Sequence, residues 1–581
     1  MSDMLLSWLQ QLPVILTKGA VHFPVGKKVD AMLKSCMGQT RSDLLPMKKF
    51  MHARGIDWPN NLQEQVPPAK VLFDLSFNWN VHLWFTLKVL SAFPKEKQRR
   101  IFFAPNERML FWKATINGIP KMYFQSVYDD LFNLFSNDKS SHPKVQEMLD
   151  TYNMLQYVFN TLVPSCPCNA SIPALFSLRD IDRRSQVPVG KHVMNMFNAV
   201  MKIDPPVTMD DLVLVSDIAE FTSIMRIINH VGDKALLNHL SWLFMQAYAA
   251  VADPKAVLFV FHGSDHRAKN EQPRFCAGQV EPSYKLLVAA MATVAHFSED
   301  ERQRIDEHLA GIVQVAIEKT KASTWLESKT TQVAVEKLEN VRTVLWPSSK
   351  FLNAEALEKV YRNFTDSAPS FTEFWIETRR SQRELFGSEA AEEELLLGDN
   401  AQLPYADYVQ VRNLLSLSLG TLAPPLYYPD GTKAMLHGGI LYLYARALIS
   451  AIDNEGVKIN PQGEIVPTWL SENDQRTYEQ RTLGCLPGNV SIFPEVPAIE
   501  VAYETFRRHM EENDTNLSED LTEEKVFFIT ACLSSCAVTP ADNFFGGDCN
   551  KAMMNFAPFA KAFGCPVGSK MNPATKCSFF D

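Results

Sequence analysis

Ala434 to Trp469 reads AMLHGGILYLYARALISAIDNEGVKINPQGEIVPTW. The stretch opens on Gly438-Gly439 and then runs apolar from Ile440 to Ile452 with no helix breaker. Ile440, Leu443, Tyr444, Leu448 and Ile452 recur at three- and four-residue steps, which predicts a mostly buried helix. Asp453, Asn454, Glu455 and Gly456 end it, and Asn460-Pro461-Gln462-Gly463 make a second turn. The run carries one cation, Arg446, followed by Ala447 and, one turn on, Ser450.

Outward from this helix, residues 405–428, YADYVQVRNLLSLSLGTLAPPLYY, alternate from Leu415 and predict a strand and a Pro-Pro turn. Upstream, Glu301 to Leu345 is strongly helical in pattern, with Trp325 as a core anchor. Between the two lies the acidic segment 387–400, whose charge predicts a solvated, mobile tract. Residues 1 to about 35 read as one amphipathic helix ended near Pro24, and about 60 to 280 as largely helical. Met148, Leu149, Tyr152, Leu155, Val158, Phe159 and Leu162 form its clearest stripe. His262 and His266 are the one close His pair, and Gly263 between them predicts a surface turn.

A chain of 581 residues exceeds one ordinary domain, and 46% hydrophobic content supplies large cores. The net charge of -9 argues against a nucleic-acid partner. The first residues lack the basic start and cleavage site of a signal peptide, and no run reads as a membrane span. The cysteines argue for an oxidising compartment, because five of the ten fall from Cys532 onward. Sequons stand at Asn169, Asn363, Asn489, Asn513 and Asn516. No serine-nucleophile elbow, phosphate-binding loop or dinucleotide fingerprint is present.

The central stretch resembles the zinc helix of the neprilysin and endothelin-converting-enzyme family of metallopeptidases. That family's pattern is Gly-Gly-Ile, five residues, His-Glu-x-x-His, then Gly-Phe-Asp. Gly438-Gly439-Ile440, Asp453, Gly456, Asn460, Gly463 and Trp469 match without a gap. The catalytic positions do not: Arg446 and Ser450 stand at the two zinc-binding His, and Ala447 at the general base. A helix-borne zinc site needs two imidazoles four residues apart. Arg446 is a permanent cation that repels a dication, and Ala447 cannot take a proton from bound water.

The resemblance extends over nearly the whole chain from about residue 30. Ala406, Tyr408, Arg412, Asn413, Gly420, Leu422, Pro424 and Pro425 match the family's substrate-binding segment. There Tyr405 replaces the Asn that holds the substrate backbone, with Ala406 next to it. The third zinc ligand falls on Ser491 and the following Asp on Glu495; a slip of four would make Glu495 the ligand. Pro494 and Pro497 predict that this segment does not begin as the family's helix does. Beyond Cys536 the chain is about ten residues short, which removes the family's transition-state His. The resemblance implies disulfides Cys36–Cys276 and Cys485–Cys577. Cys536 and Cys565 match cysteines whose usual partners lie upstream in the family, leaving each other, Cys532 or Cys549.

It implies a mainly α fold with a small β-sheet, in two domains around a central cavity. Residues 1–400 then form the lid and part of the core, and 401–581 the catalytic-type domain. The resulting expectation is a proteolytically inactive homologue, with no cofactor although the family uses zinc, that binds a peptide or protein or pairs with an active relative. It would be secreted or extracellular by resemblance, membrane-associated only through an anchor upstream. The competing readings are an active zinc endopeptidase drawing ligands from His437 or His509, and a degenerate product without a stable fold.

Overall fold

The apolar run around Ile440 is helical, and it enters through a kink. The computed structural model describes residues 2–59, 66–91, 99–106, 108–138, 140–163, 174–185, 189–257, 265–400, 406–510, 521–533, 535–536 and 548–580. A short helix, Lys433–Leu436, passes into a π-turn at His437–Leu441, then the helix Tyr442–Leu448 and a 3-10 turn, Ile449–Ile452. Gly439 breaks the helical geometry with ψ -107°. No larger residue fits there: a Cβ on Gly438 would lie 2.3 Å from the Phe527 carbonyl oxygen, and one on Gly439 2.1 Å from that of Leu426. The freed Ile440 N–H donates to the same Leu426 carbonyl at 2.9 Å. Residues 433–458 have the length and hydropathy of a membrane span, yet most of their surface is buried inside the protein, as in a soluble core.

The fold is mainly α with two small sheets, in a two-domain architecture. Strands β1 (Phe85–Ser91), β2 (Arg99–Pro105), β3 (Ala174–Ser177) and β4 (Leu212–Val215) form a four-stranded sheet in the order β1-β2-β4-β3. β1 and β2 pair antiparallel with Leu87 opposite Phe103, and β2 runs parallel to β4. Residues 60–280 are largely helical as expected, and this sheet is set among those helices. Phe85 and Leu87 alternate inward with Ile101 and Phe103 into the large core, as a half-buried sheet requires. From the same sheet, Leu90 and Leu214 pack with Val411 and Ile459 of the C-terminal region.

The second sheet has β5 (Arg342–Val344), β6 (Ala406–Val409) and β7 (Leu414–Leu417) in the order β5-β7-β6. The predicted strand after Leu415 is β7, and β6 pairs with it antiparallel along an outer edge of the sheet. The N-terminal stretch is two helices, Ser2–His22 and Lys27–Met37, separated by a 3-10 turn at Pro24–Gly26. The acidic segment is ordered. Glu389–Leu396 is a helix whose Leu396 is buried and whose Glu394 accepts from the Tyr361 hydroxyl at 3.0 Å. Its leucines and alanine outweigh its carboxylates because that side packs on the core.

Long-range ties hold these parts. Cys36–Cys276 closes a separation of 240 residues, worth about 5 kcal/mol in the chain-entropy picture. Cys485–Cys577 and Cys532–Cys549 are also bonded, while Cys536 and Cys565 are free thiols. Cys166, Cys168 and His262 lie outside the described residues. Buried Lys28 donates to the carbonyls of Tyr361, Arg362 and Phe364 at 3.1, 2.9 and 2.6 Å.

Lys337 does the same beneath the central helix. Its fully buried ammonium donates to Gly456 O at 2.7 Å and Ile459 O at 3.0 Å, and Asn413 Nδ2 returns to Lys337 O at 2.8 Å. Burial lowers its pKa to about 7, against an opposing pull from Asp453. Above pH 7 the folded state therefore binds fewer protons than the unfolded chain, so raising pH toward the ordinary lysine range stabilises the fold. Urea unfolding of wild type and Lys337→Met at about pH 8 and 9 checks this. The wild type gains at most about 1.4 kcal/mol per pH unit more than the variant; equal pH dependence would contradict it.

Candidate functional site

Packing leaves one opening on the central helix. From His437 to Ile452 every residue is buried except Arg446, Ala447 and Ser450, which are half-buried and share one face at i, i+1 and i+4. The face keeps its orientation toward the site while its chemistry is a guanidinium, a methyl and a hydroxyl. Ser450 is further occupied through its backbone, whose carbonyl accepts from Gln410 Nε2 at 2.6 Å.

Across from it, helix Glu495–His509 packs on Tyr442–Leu448. The two prolines sit at the start of this helix: Pro494 caps it and Pro497 falls in the first turn, where a proline costs no hydrogen bond. Ser491 lies before the helix, and its hydroxyl accepts from Phe493 N at 3.1 Å. Glu495 begins the helix and is 5% exposed. Lys551 Nζ stands 2.5 Å from its Oε2, and Asp548 N donates to its Oε1 at 3.1 Å. The same ammonium donates to Ser491 O and Phe493 O, both at 3.0 Å. A lysine thus neutralises the carboxylate that a slipped alignment offers as a ligand.

Tyr442 lies among these charges. Burial holds its phenol above the ordinary range; the Arg446 cation opposes this, and Glu495 and Asp548 reinforce it. Its hydroxyl is buried with no hydrogen-bond partner among the described residues. Asp453 is a turn residue, accepting from Glu455 N at 2.9 Å and Gly456 N at 2.8 Å. Burial raises its pKa to about 6, and those backbone donors and Lys337 oppose the rise.

The family's zinc does not fit this set. Arg446 stands at one ligand position and Lys551 is paired with the Glu495 carboxylate, so the set carries two cations, and among the described residues the one histidine cluster, His308, His437 and His509, does not include them. Ala406 opens the edge strand β6 opposite Leu417 and is half-buried; Tyr405 lies outside the described residues. His437 and His509 meet each other at 3.1 Å, and with them comes His308, which no sequence spacing singled out. Elsewhere, a cleft of about 610 Å³ opens beside β5, lined by Asp306, Gln314, Thr343 and Trp346 and by none of the site residues.

Family models described as peptidase family M13 match residues 5–346 and 492–579. Endothelin-converting enzyme 1 of Bos taurus is 22% identical over 412 residues, covering 63% of this chain and 53% of that protein. Endothelin-converting enzyme-like 1 of Homo sapiens is 22% identical over 378 residues, with coverage of 59% and 47%. The chain spans about half the length of these curated relatives. Zinc metalloprotease Zmp1 of Mycobacterium tuberculosis, solved with an inhibitor, shares the fold at TM-score 0.73 and 12% identity, covering 100% of this chain and 93% of that one.

The Glu495–Lys551 pair is nearly buried, so breaking it leaves a carboxylate without its counter-charge. Lys551→Met should destabilise the fold by about 3–5 kcal/mol in urea unfolding, and adding Glu495→Gln should recover most of that. Additive losses in the double variant would show that the two groups do not compensate each other.

Proposed function

The chain belongs to peptidase family M13, and we propose that it is a non-catalytic member that binds peptide without cleaving it. The observation that carries this is Lys551 against Glu495 in a site whose helical face presents Arg446. Metal-assisted hydrolysis needs an ion to acidify water and a base to take its proton. Ala447 offers no base, and the two cations raise the electrostatic cost of any bound dication.

The ligand is an extended peptide that adds to β6. An edge strand offers unpaired N–H and C=O groups, and a peptide strand satisfies them without chemistry. We place the protein outside the cell, on the strength of its disulfides and of sequon residues Asn363 and Asn489, which are exposed.

One observation favours a second reading, a zinc endopeptidase with displaced ligands: His437 and His509 stand together with His308. The two readings separate in one assay. Pure protein is incubated with a peptide library and Zn²⁺, with and without chelator, and products are read by mass spectrometry. The proposal expects no chelator-sensitive cleavage, while labelled peptides still bind saturably. Cleavage abolished by chelator would overturn it, and its loss in His509→Gln would assign that activity to the displaced ligands.

A further inference from the structure

The histidine cluster stands apart from the degenerate site and has its own geometry. His308 comes from helix Glu299–Ala322, His437 from the π-turn at the kink, and His509 from the end of helix Glu495–His509. Each offers a ring nitrogen, and the three lie within 4.8 Å of one another. His437 is fully buried, with Nδ1 2.8 Å from Lys433 O. A carbonyl only accepts, so Nδ1 carries the proton and Nε2 presents a lone pair. His509 Nδ1 points at that lone pair from 3.1 Å and also reaches Thr505 O at 2.9 Å. His308 Nδ1 is buried with no hydrogen-bond partner among the described residues.

Simple packing accounts for part of this, since His437 also lies against the Phe506 ring at 5.8 Å. It leaves the His308 nitrogen unexplained, because a buried polar atom without a partner is destabilising. A carbonyl holding one ring nitrogen so that the other faces a shared point is the usual support of a metal-binding His. Burial lowers His437 to a pKa of about 3, and burial followed by His509 lowers His308. The charges that act on the cluster are Arg304, Glu307 and Lys433.

We propose that His308, His437 and His509 bind a divalent ion of the zinc class, one nitrogen from each, with a fourth position open to water. An all-imidazole set selects zinc-class ions over Ca²⁺ and Mg²⁺, which take oxygen ligands. Tetrahedral zinc holds its nitrogens about 3.3 Å apart, so the widest pair must close. His308 is half-buried and His509 exposed, which leaves both rings room to turn. On binding, the His509 ring turns off the Thr505 carbonyl and its Nδ1 gives its proton to solvent, and the ion then clasps the three elements that carry the cluster. The inference is independent of peptide binding.

The test is a Co²⁺ titration of the untagged, metal-free full chain, read by visible absorption, with Zn²⁺ competition. The expected result is one equivalent bound with the intense bands of a four-coordinate site, displaced by Zn²⁺. His509→Gln and His308→Gln should each weaken binding at least tenfold at unchanged secondary structure, and Ser450→Ala should leave it unchanged. Zn²⁺ should raise the melting temperature of the wild type and not of His509→Gln. Absence of a saturable signal, or wild-type titrations in both histidine variants, would overturn the proposal.

Discussion

Two carbonyl oxygens pressed against Gly438 and Gly439 fix everything else in this molecule. Phe527 O and Leu426 O lie where any Cβ would be, so the backbone at the kink has one position and one pair of residues that permit it. From that anchor the helix Tyr442–Leu448 runs into a core that covers all but one face. The direction in which Arg446, Ala447 and Ser450 point is therefore a property of the packing and survives changes of those side chains. This separates scaffold from chemistry: the scaffold can persist while the residues on its one open face are replaced.

The replacements form a consistent electrostatic set. A guanidinium on the helix and an ammonium on Glu495 supply positive charge that a metal would otherwise bring. Glu495 then stays buried without a dication, because Lys551 supplies the counter-charge beside Oε2 and the Asp548 N–H donates to Oε1. Asp453 keeps a structural role, ordering the turn that Lys337 grips from below. Without a counter-charge, buried Glu495 would bear the full desolvation cost of a carboxylate. Lys551 offsets that cost.

Much of this was legible in the sequence. The burial of Ile440–Ile452 followed from its period, and the shared face of Arg446, Ala447 and Ser450 from their spacing. The kink was less legible, since a glycine pair reports freedom of the backbone and not the carbonyls that demand it. The four-stranded sheet was missed because β2 pairs with β4 across more than a hundred residues, and short strands such as LVLV carry little period of their own. The acidic helix is not legible from charge, because the leucines that seat it on the core decide its order. Lys551 and His308 had no signal at all: each acts on residues distant in the chain, and only folding brings them together.

The account rests on where positive charge resides. A crystal structure grown in excess Zn²⁺, with anomalous data collected at the zinc edge, measures that directly. The account predicts density for an ion among His308, His437 and His509, and none between Arg446 and Glu495, with Lys551 still on the carboxylate. A zinc ion coordinated by Glu495 beside Arg446, with Lys551 displaced, would contradict it.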